Sequence, residues 1–121
     1  MNLIIHTEND EAIAEAVADS LILKNEQDVI FLLEELHSCG ANKIIIHKEN
    51  IIPEFFDLRT GLAGAILQKF VNYSMPIAIV GDFSNITSDA LKAFIYESNR
   101  GKQIFFLESV EKAIQKLISL S

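Results

Sequence analysis

Three short apolar runs constrain this chain more than anything else in it. Lys43-Ile-Ile-Ile-His47, Ile77-Ala-Ile-Val80 and Gln103-Ile-Phe-Phe-Leu107 are almost uninterrupted by polar residues. A strand with apolar side chains pointing both ways has to be covered on both faces, the condition of an interior strand in a parallel sheet. Each run is followed by a stripe at helical spacing: Leu62, Ala63, Ile66, Leu67, Phe70 and Val71; then Leu91, Phe94 and Ile95; then Val110, Ala113, Ile114, Leu117 and Ile118. A fourth stripe, Val29, Leu32, Leu33 and Leu36, precedes the first run, with Asn25 placed to cap its start and Gly40 to stop it. Strands alternating with helices require crossover connections, and so a mostly parallel sheet packed by helices.

The amino-terminal quarter reads two ways. Asn2 to Thr7 is β-rich and ends in the turn-prone Glu8-Asn9-Asp10. From Glu11 to Leu23, the alanines favour a helix by propensity. In a strand, however, Ile13, Glu15, Val17 and Asp19 share one face, with Ala12, Ala14, Ala16 and Ala18 on the other. A second strand over roughly Ala12 to Ser20, its small side turned towards a helix, is the better fit. The expected order is then β-β-α-β-α-β-α-β-α, a single α/β domain over residues 1–121, long enough to bury its own core. Pro53 is expected near the start of the second helix, Ser84 or Thr87 as cap of the third, and Gly101 just past its end.

Ten basic residues against seventeen acidic ones give a net charge of −7, with no basic block. Nucleic acids and anionic membranes, which need a positive patch, are therefore not expected partners. An acidic surface suits a protein partner or self-association and leaves room for a small molecule. Cys39 is the only cysteine, so no internal disulfide forms, which fits a reducing compartment. The first residues lack a basic segment followed by a long apolar one, and no apolar run approaches the ~20 residues of a membrane helix, so a cytoplasmic location is expected.

Polar groups collect where parallel strands end: His47 and Glu49, then Glu54, Asp57, Arg59 and Thr60, then Asp82. Such ends share one edge of the sheet. Asp57 and Asp82 could bind a cation there or act as an acid–base pair. The weightier alternative is that both are caps, with Arg59 paired to one of them. Thr60-Gly61-Leu62-Ala63-Gly64 could hold an anion on free helix amides, although no phosphate loop, dinucleotide fingerprint or nucleophile elbow is present. Close packing of another backbone is the simpler reason for Gly61 and Gly64. His37 and Cys39 lack the second ligand pair of a zinc site. His6 and His47 end strands and could meet across the sheet, although a satisfied histidine is the better reading of each. Helix termination explains Arg100 and Gly101 but not Asn99, which is left for a partner contact. The candidate binding residues are thus Glu54, Asp57, Arg59, Thr60, Asp82, Asn99 and Arg100, with no catalytic residue, metal ligand or cofactor among the expectations.

Phe55-Phe-Asp-Leu-Arg-Thr-Gly-Leu-Ala-Gly64 with Ile66-Leu-Gln-Lys-Phe-Val-Asn-Tyr73, together with Gly81-Asp-Phe83 and Phe94-Ile-Tyr-Glu-Ser-Asn-Arg-Gly101, resembles an uncharacterised bacterial family, domain of unknown function four-one-eight-zero. The resemblance supports a strand at Ala12 to Ser20. More distantly, the element order is similar to that of STAS domains, the anti-sigma-factor-antagonist type. Those carry Asp-Ser-Ser-Gly-Leu-Gly between a strand and a helix, with a serine that is phosphorylated in regulatory switching. Asp57-Leu-Arg-Thr-Gly-Leu-Ala-Gly64 echoes that run with one extra residue before Gly61, and Leu58 and Arg59 in serine-like places. The resemblance implies a non-enzymatic regulatory or protein-interaction domain with Thr60 as the phosphorylated position. The alternative is a small-molecule-binding protein or modest enzyme with a polar site at the strand carboxyl ends.

Overall fold

The computed structural model describes residues 1–120. Its first two strands, β1 (Asn2–Glu8) and β2 (Glu11–Val17), form an antiparallel hairpin in a register running from Asn2↔Val17 to Glu8↔Glu11. The two turn residues, Asn9 and Asp10, have φ of 50° and 64°. That is the left-handed backbone a two-residue hairpin loop needs and Asn and Asp tolerate best. Tertiary packing overrides the helix propensity of the alanines here, because Ala14 and Ala16 are wholly buried beneath helices.

The sheet continues with β3 (Lys43–His47), β4 (Ile77–Val80) and β5 (Ile104–Leu107) in the spatial order β1-β2-β3-β4-β5. Every pairing after the first is parallel. The crossovers are carried by α1 (Glu26–Cys39), α2 (Leu62–Asn72) and α3 (Asp89–Asn99), and α4 (Val110–Ile118) follows β5. This is the mixed, mostly parallel α/β architecture expected from the alternating pattern. No helix among the described residues is long and apolar enough to cross a membrane.

Local chemistry sets most helix ends. The Asn25 side-chain oxygen accepts the Asp28 N–H at 3.0 Å, and Gly40 closes α1 at φ 75°. Other ends depart from expectation. Ser88, not Ser84 or Thr87, caps α3 by accepting the Leu91 N–H at 3.2 Å. Ser84 is instead held in a turn by Asp82. Pro53 opens a 3-10 turn (Pro53–Phe56) rather than α2, and a second turn (Leu58–Thr60) intervenes before α2. Gly101 follows α3 without left-handed backbone, since Arg100 ends the helix in the right-handed region.

Two apolar layers result. On one face Ala14, Ala16, Ile44, Ile46, Ile77, Ile79 and Phe106 pack under α1 and α2, with Phe94 and Ile95 of α3 against them. On the other, Ile13, Ile45, Ala78, Val80 and Phe105 meet Ala113 and Leu117 of α4, with Val110, Ile114 and Ile118 packed against them. Around Ile13 and Ile45 that second face also carries the polar side chains of His6, Glu11, Glu15, Lys43 and His47.

The outer edge of β5 is closed by a side chain. Asn99 at the end of α3 accepts the Phe106 N–H at 2.7 Å and donates to its carbonyl at 3.1 Å, as a neighbouring strand would. This accounts for Asn99, which helix termination left unexplained. Phe106 is 3% exposed, so water cannot replace both bonds. Asn99→Ala should lower unfolding free energy by about 1–3 kcal/mol, read by urea denaturation; an unchanged midpoint would show that the amide is dispensable.

Candidate functional site

The connection from β3 to α2 is organised by one hydroxyl. Thr60 Oγ1 lies 2.9 Å from both the Glu54 and the Asp57 carbonyls, sharing its proton between them, and accepts the Leu62 N–H at 3.2 Å. It thereby ties the two 3-10 turns together and occupies one free amide of α2. Gly61, the next residue, has φ 78°, and this backbone requirement explains it. No atom lies within 4 Å of a Cβ built on Gly61 or Gly64, so the expected close packing against another backbone does not occur.

Asp57 caps the second turn through the Arg59 N–H at 3.1 Å and grips the same guanidinium from Nε (2.9 Å) and Nη2 (2.8 Å). The side-chain bond from Arg59 holds the Asp57 carboxyl below its ordinary value, and Asp57 in turn raises Arg59. Asp82 is also lowered, chiefly by the Ser84 hydroxyl at 2.6 Å, then by the Ser84 N–H at 2.9 Å. Both carboxylates are therefore held ionised by neighbours two residues away, the capping arrangement weighed against an acid–base pair. An acid–base pair requires one carboxyl to be raised, and neither is.

Glu54, Asp57, Arg59 and Thr60 thus form one loop. A cleft of about 400 Å³ lies beside it, lined by Phe56, Asp57, Leu58, Arg59, Ser88 and Ala90. Asn99 sits at the far end of α3, an 11-residue helix about 16 Å long. Arg100 beside it lies over the Tyr96 ring, 5.5 Å from its centroid. The structure does not gather the seven candidates into one crevice.

Lys48 and Gly81 connect the neighbouring strand ends instead. A Cβ on Gly81 would come within 2.6 Å of the Lys48 Cβ; the close approach a glycine permits is here, not at Gly64. The Lys48 ammonium donates to the Asp82 carbonyl at 2.9 Å and faces Phe56 and Phe83, 5.6 and 5.2 Å from their centroids. Phe83 continues to Phe106 with ring centroids 5.5 Å apart, anchoring the surface loop to the core. Only the spacing of Gly81 behind a buried strand hinted at this in the sequence.

A buried carboxylate lies on the second face of the sheet. Glu15, 8% exposed, projects from β2 between two imidazoles. His6 Nε2–H on β1 donates to Oε1 at 2.9 Å, and His47 Nε2–H on β3 donates to Oε2 at 2.7 Å. Four residues back along the same two strands, Lys43 donates to Glu11 Oε1 at 2.5 Å. Each histidine is satisfied, by a carboxylate between them that sequence reasoning left out. Its signal was a glutamate alternating with Ile13 on a strand face. Burial raises the Glu15 carboxyl; the hydrogen bonds and charges of His47 and His6 outweigh this and leave it lowered from 4.5. Among the described residues, no cluster of His, Cys, Asp or Glu could hold a metal ion. A largely apolar groove of about 610 Å³ lies at the opposite ends of the strands, between Leu33, His37, Ala41, Tyr73 and Met75.

Comparison with known proteins identifies the family of this chain. Residues 8–117, from the end of β1 into α4, match the model of Domain of unknown function (DUF4180), and the chain belongs to that family. Neither a curated protein nor a solved structure matches it.

Two outcomes follow from this geometry. A carboxyl lowered by folding adds stability that is complete above its unfolded value and disappears as pH falls through its folded one. The thermal midpoint of the native chain should therefore exceed that of Glu15→Gln at neutral pH, with the gap closing below the usual glutamate range. A pH-independent gap would contradict ionised Glu15. Gly81→Ala should cost about 1–3 kcal/mol through overpacking on Lys48, measured by chemical denaturation; a neutral effect would mean that β4 and Lys48 shift apart freely.

Proposed function

We propose that the chain is a non-enzymatic, STAS-like regulatory domain that binds a protein partner through the Glu54–Gly64 loop and the adjoining Asp82–Ser84 turn. The observation that carries this is the double role of Thr60, an exposed hydroxyl that is also the clasp of the loop. A partner kinase would transfer the γ-phosphoryl group of a nucleoside triphosphate to Thr60 Oγ1: the bond from phosphorus to the diphosphate oxygen breaks, the nucleoside diphosphate leaves, and the hydroxyl proton passes to a base of the kinase. The two bonds to the Glu54 and Asp57 carbonyls are lost with that proton. The new dianion sits at the start of α2, where the dipole and free amides favour it, and competes with Asp57 for Arg59. One modification thus exchanges a locked loop for another arrangement, as a two-state switch requires.

The unmodified surface has the composition of a binding patch. The Arg59 side chain is 90% exposed yet held by Asp57, so little side-chain freedom is lost on docking. Phe56, Leu58 and Phe83 stand half-buried around it. The locally satisfied carboxylates, neither of them raised, support recognition over acid–base chemistry.

The test has two arms. Protein isolated from its own cells should carry one phosphoryl mass that maps to Thr60 and vanishes in Thr60→Ala. A photo-crosslinking residue at position 59 should capture a protein that one at Glu111 does not, and Asp82→Ala should weaken that capture at least about tenfold. Cellular protein without phosphate removes the switch; equal capture from positions 59 and 111 removes the surface.

A further inference from the structure

The two edges of the sheet are treated differently. β5 has four residues, and the Asn99 amide closes it. β1 has seven residues, pairs only with β2, and its outward N–H and C=O groups meet no backbone or side-chain partner among the described residues. Devices that protect an exposed edge, such as lysine, proline or a bulge, are missing from Asn-Leu-Ile-Ile-His-Thr-Glu. Of the eight large apolar side chains left exposed among the described residues, six gather here: Met1, Ile4 and Ile5, Val17 paired with Asn2, and Leu21 and Phe31, which share a cleft with Met1. Apolar surface therefore flanks the open edge on both sides, with Ile4 and Val17 on one face and Ile5 and Phe31 on the other.

We propose that the β1 edge joins a second copy of this chain, β1 against β1 and antiparallel about Ile4, to make one ten-stranded sheet. Charge and side-chain matching select this occupant. With Ile4 opposite Ile4, each Leu3 faces Ile5 and each Asn2 faces His6, so every aliphatic residue of the strand meets another. The only carboxylate of β1, Glu8, overhangs at opposite ends, and no like charges meet despite a net charge of −7 per chain. The two-fold axis stands perpendicular to the sheet, so both α1 helices lie on the same side and Phe31 of each flanks the seam. Such an interface is isologous, the kind that closes at two subunits. It lies apart from the Glu54–Gly64 loop and leaves that surface free.

Sedimentation of the full chain should give twice the monomer mass. Ile4→Lys and Ile4→Glu, each placing like charges directly opposite, should each weaken the dimer more than about thirty-fold while keeping the native far-ultraviolet circular dichroism. Mixed in equal amounts, they should restore a dimer containing one chain of each, which can form only from folded chains whose residue 4 faces its own copy. A monomeric native chain, single-charge variants that remain dimeric, or a mixture that remains monomeric would each overturn the proposal.

Discussion

A carboxylate removed from water must be paired, and the pairing of Glu15 decides how the second face of this sheet is built. Its two oxygens take one N–H each from His6 and His47, on the strands either side. This binds β1, β2 and β3 across their hydrogen-bonded ladder and leaves neither oxygen to be desolvated alone. Glu11 and Lys43 add a second ion pair to the same polar zone. An apolar helix is disfavoured over such a zone, and α4 settles on Ile13, Ile45, Ala78, Val80 and Phe105, reaching as far as β2 towards the hairpin edge. The single helix on this face, and the bare flank beside β1, follow from that division.

The opposite face obeys a simpler rule. Alanines on β2 and isoleucines on β3 and β4 give a smooth surface on which α1 and α2 close, and the fully buried Ile66 and Phe70 each contribute about 1.5–3 kcal/mol. The loop that begins α2 then has little freedom. Thr60, Asp57 and Arg59 satisfy one another within a few residues, and the Phe56–Phe83–Phe106 contacts fasten that loop to the core. Rigidity there comes from short-range hydrogen bonds and long-range aromatic packing acting on the same turn.

The fold was largely legible beforehand because its signals are local. Apolar runs at Lys43–His47 and Ile77–Val80 mark buried strands whatever surrounds them, and Asn25 and Gly40 mark the ends of α1 by chemistry confined to a few residues. The candidate site was legible in part for the same reason: Asp57 with Arg59, and Asp82 as a turn residue, act over two positions. Asn99 was singled out as unexplained, but its partner, the Phe106 backbone, lies across a helix–strand contact that no spacing announces. Ser84, Thr87 and Ser88 offer the same capping chemistry within five residues, and only the path of the chain after Asp82 chooses Ser88 among them.

By itself the sequence determined which segments are strands and helices and in what order they come, since periodicity and capping act between near neighbours. It also determined which residues could bear polar contacts. Tertiary structure alone decided which of them meet. Register sets Glu15 between His6 and His47, crossover geometry presses Lys48 against Gly81, and sheet order leaves β1 open while β5 is closed. These are contacts between residues distant along the chain. Their formation depends on how strands align in space, which the identity of neighbouring residues does not encode.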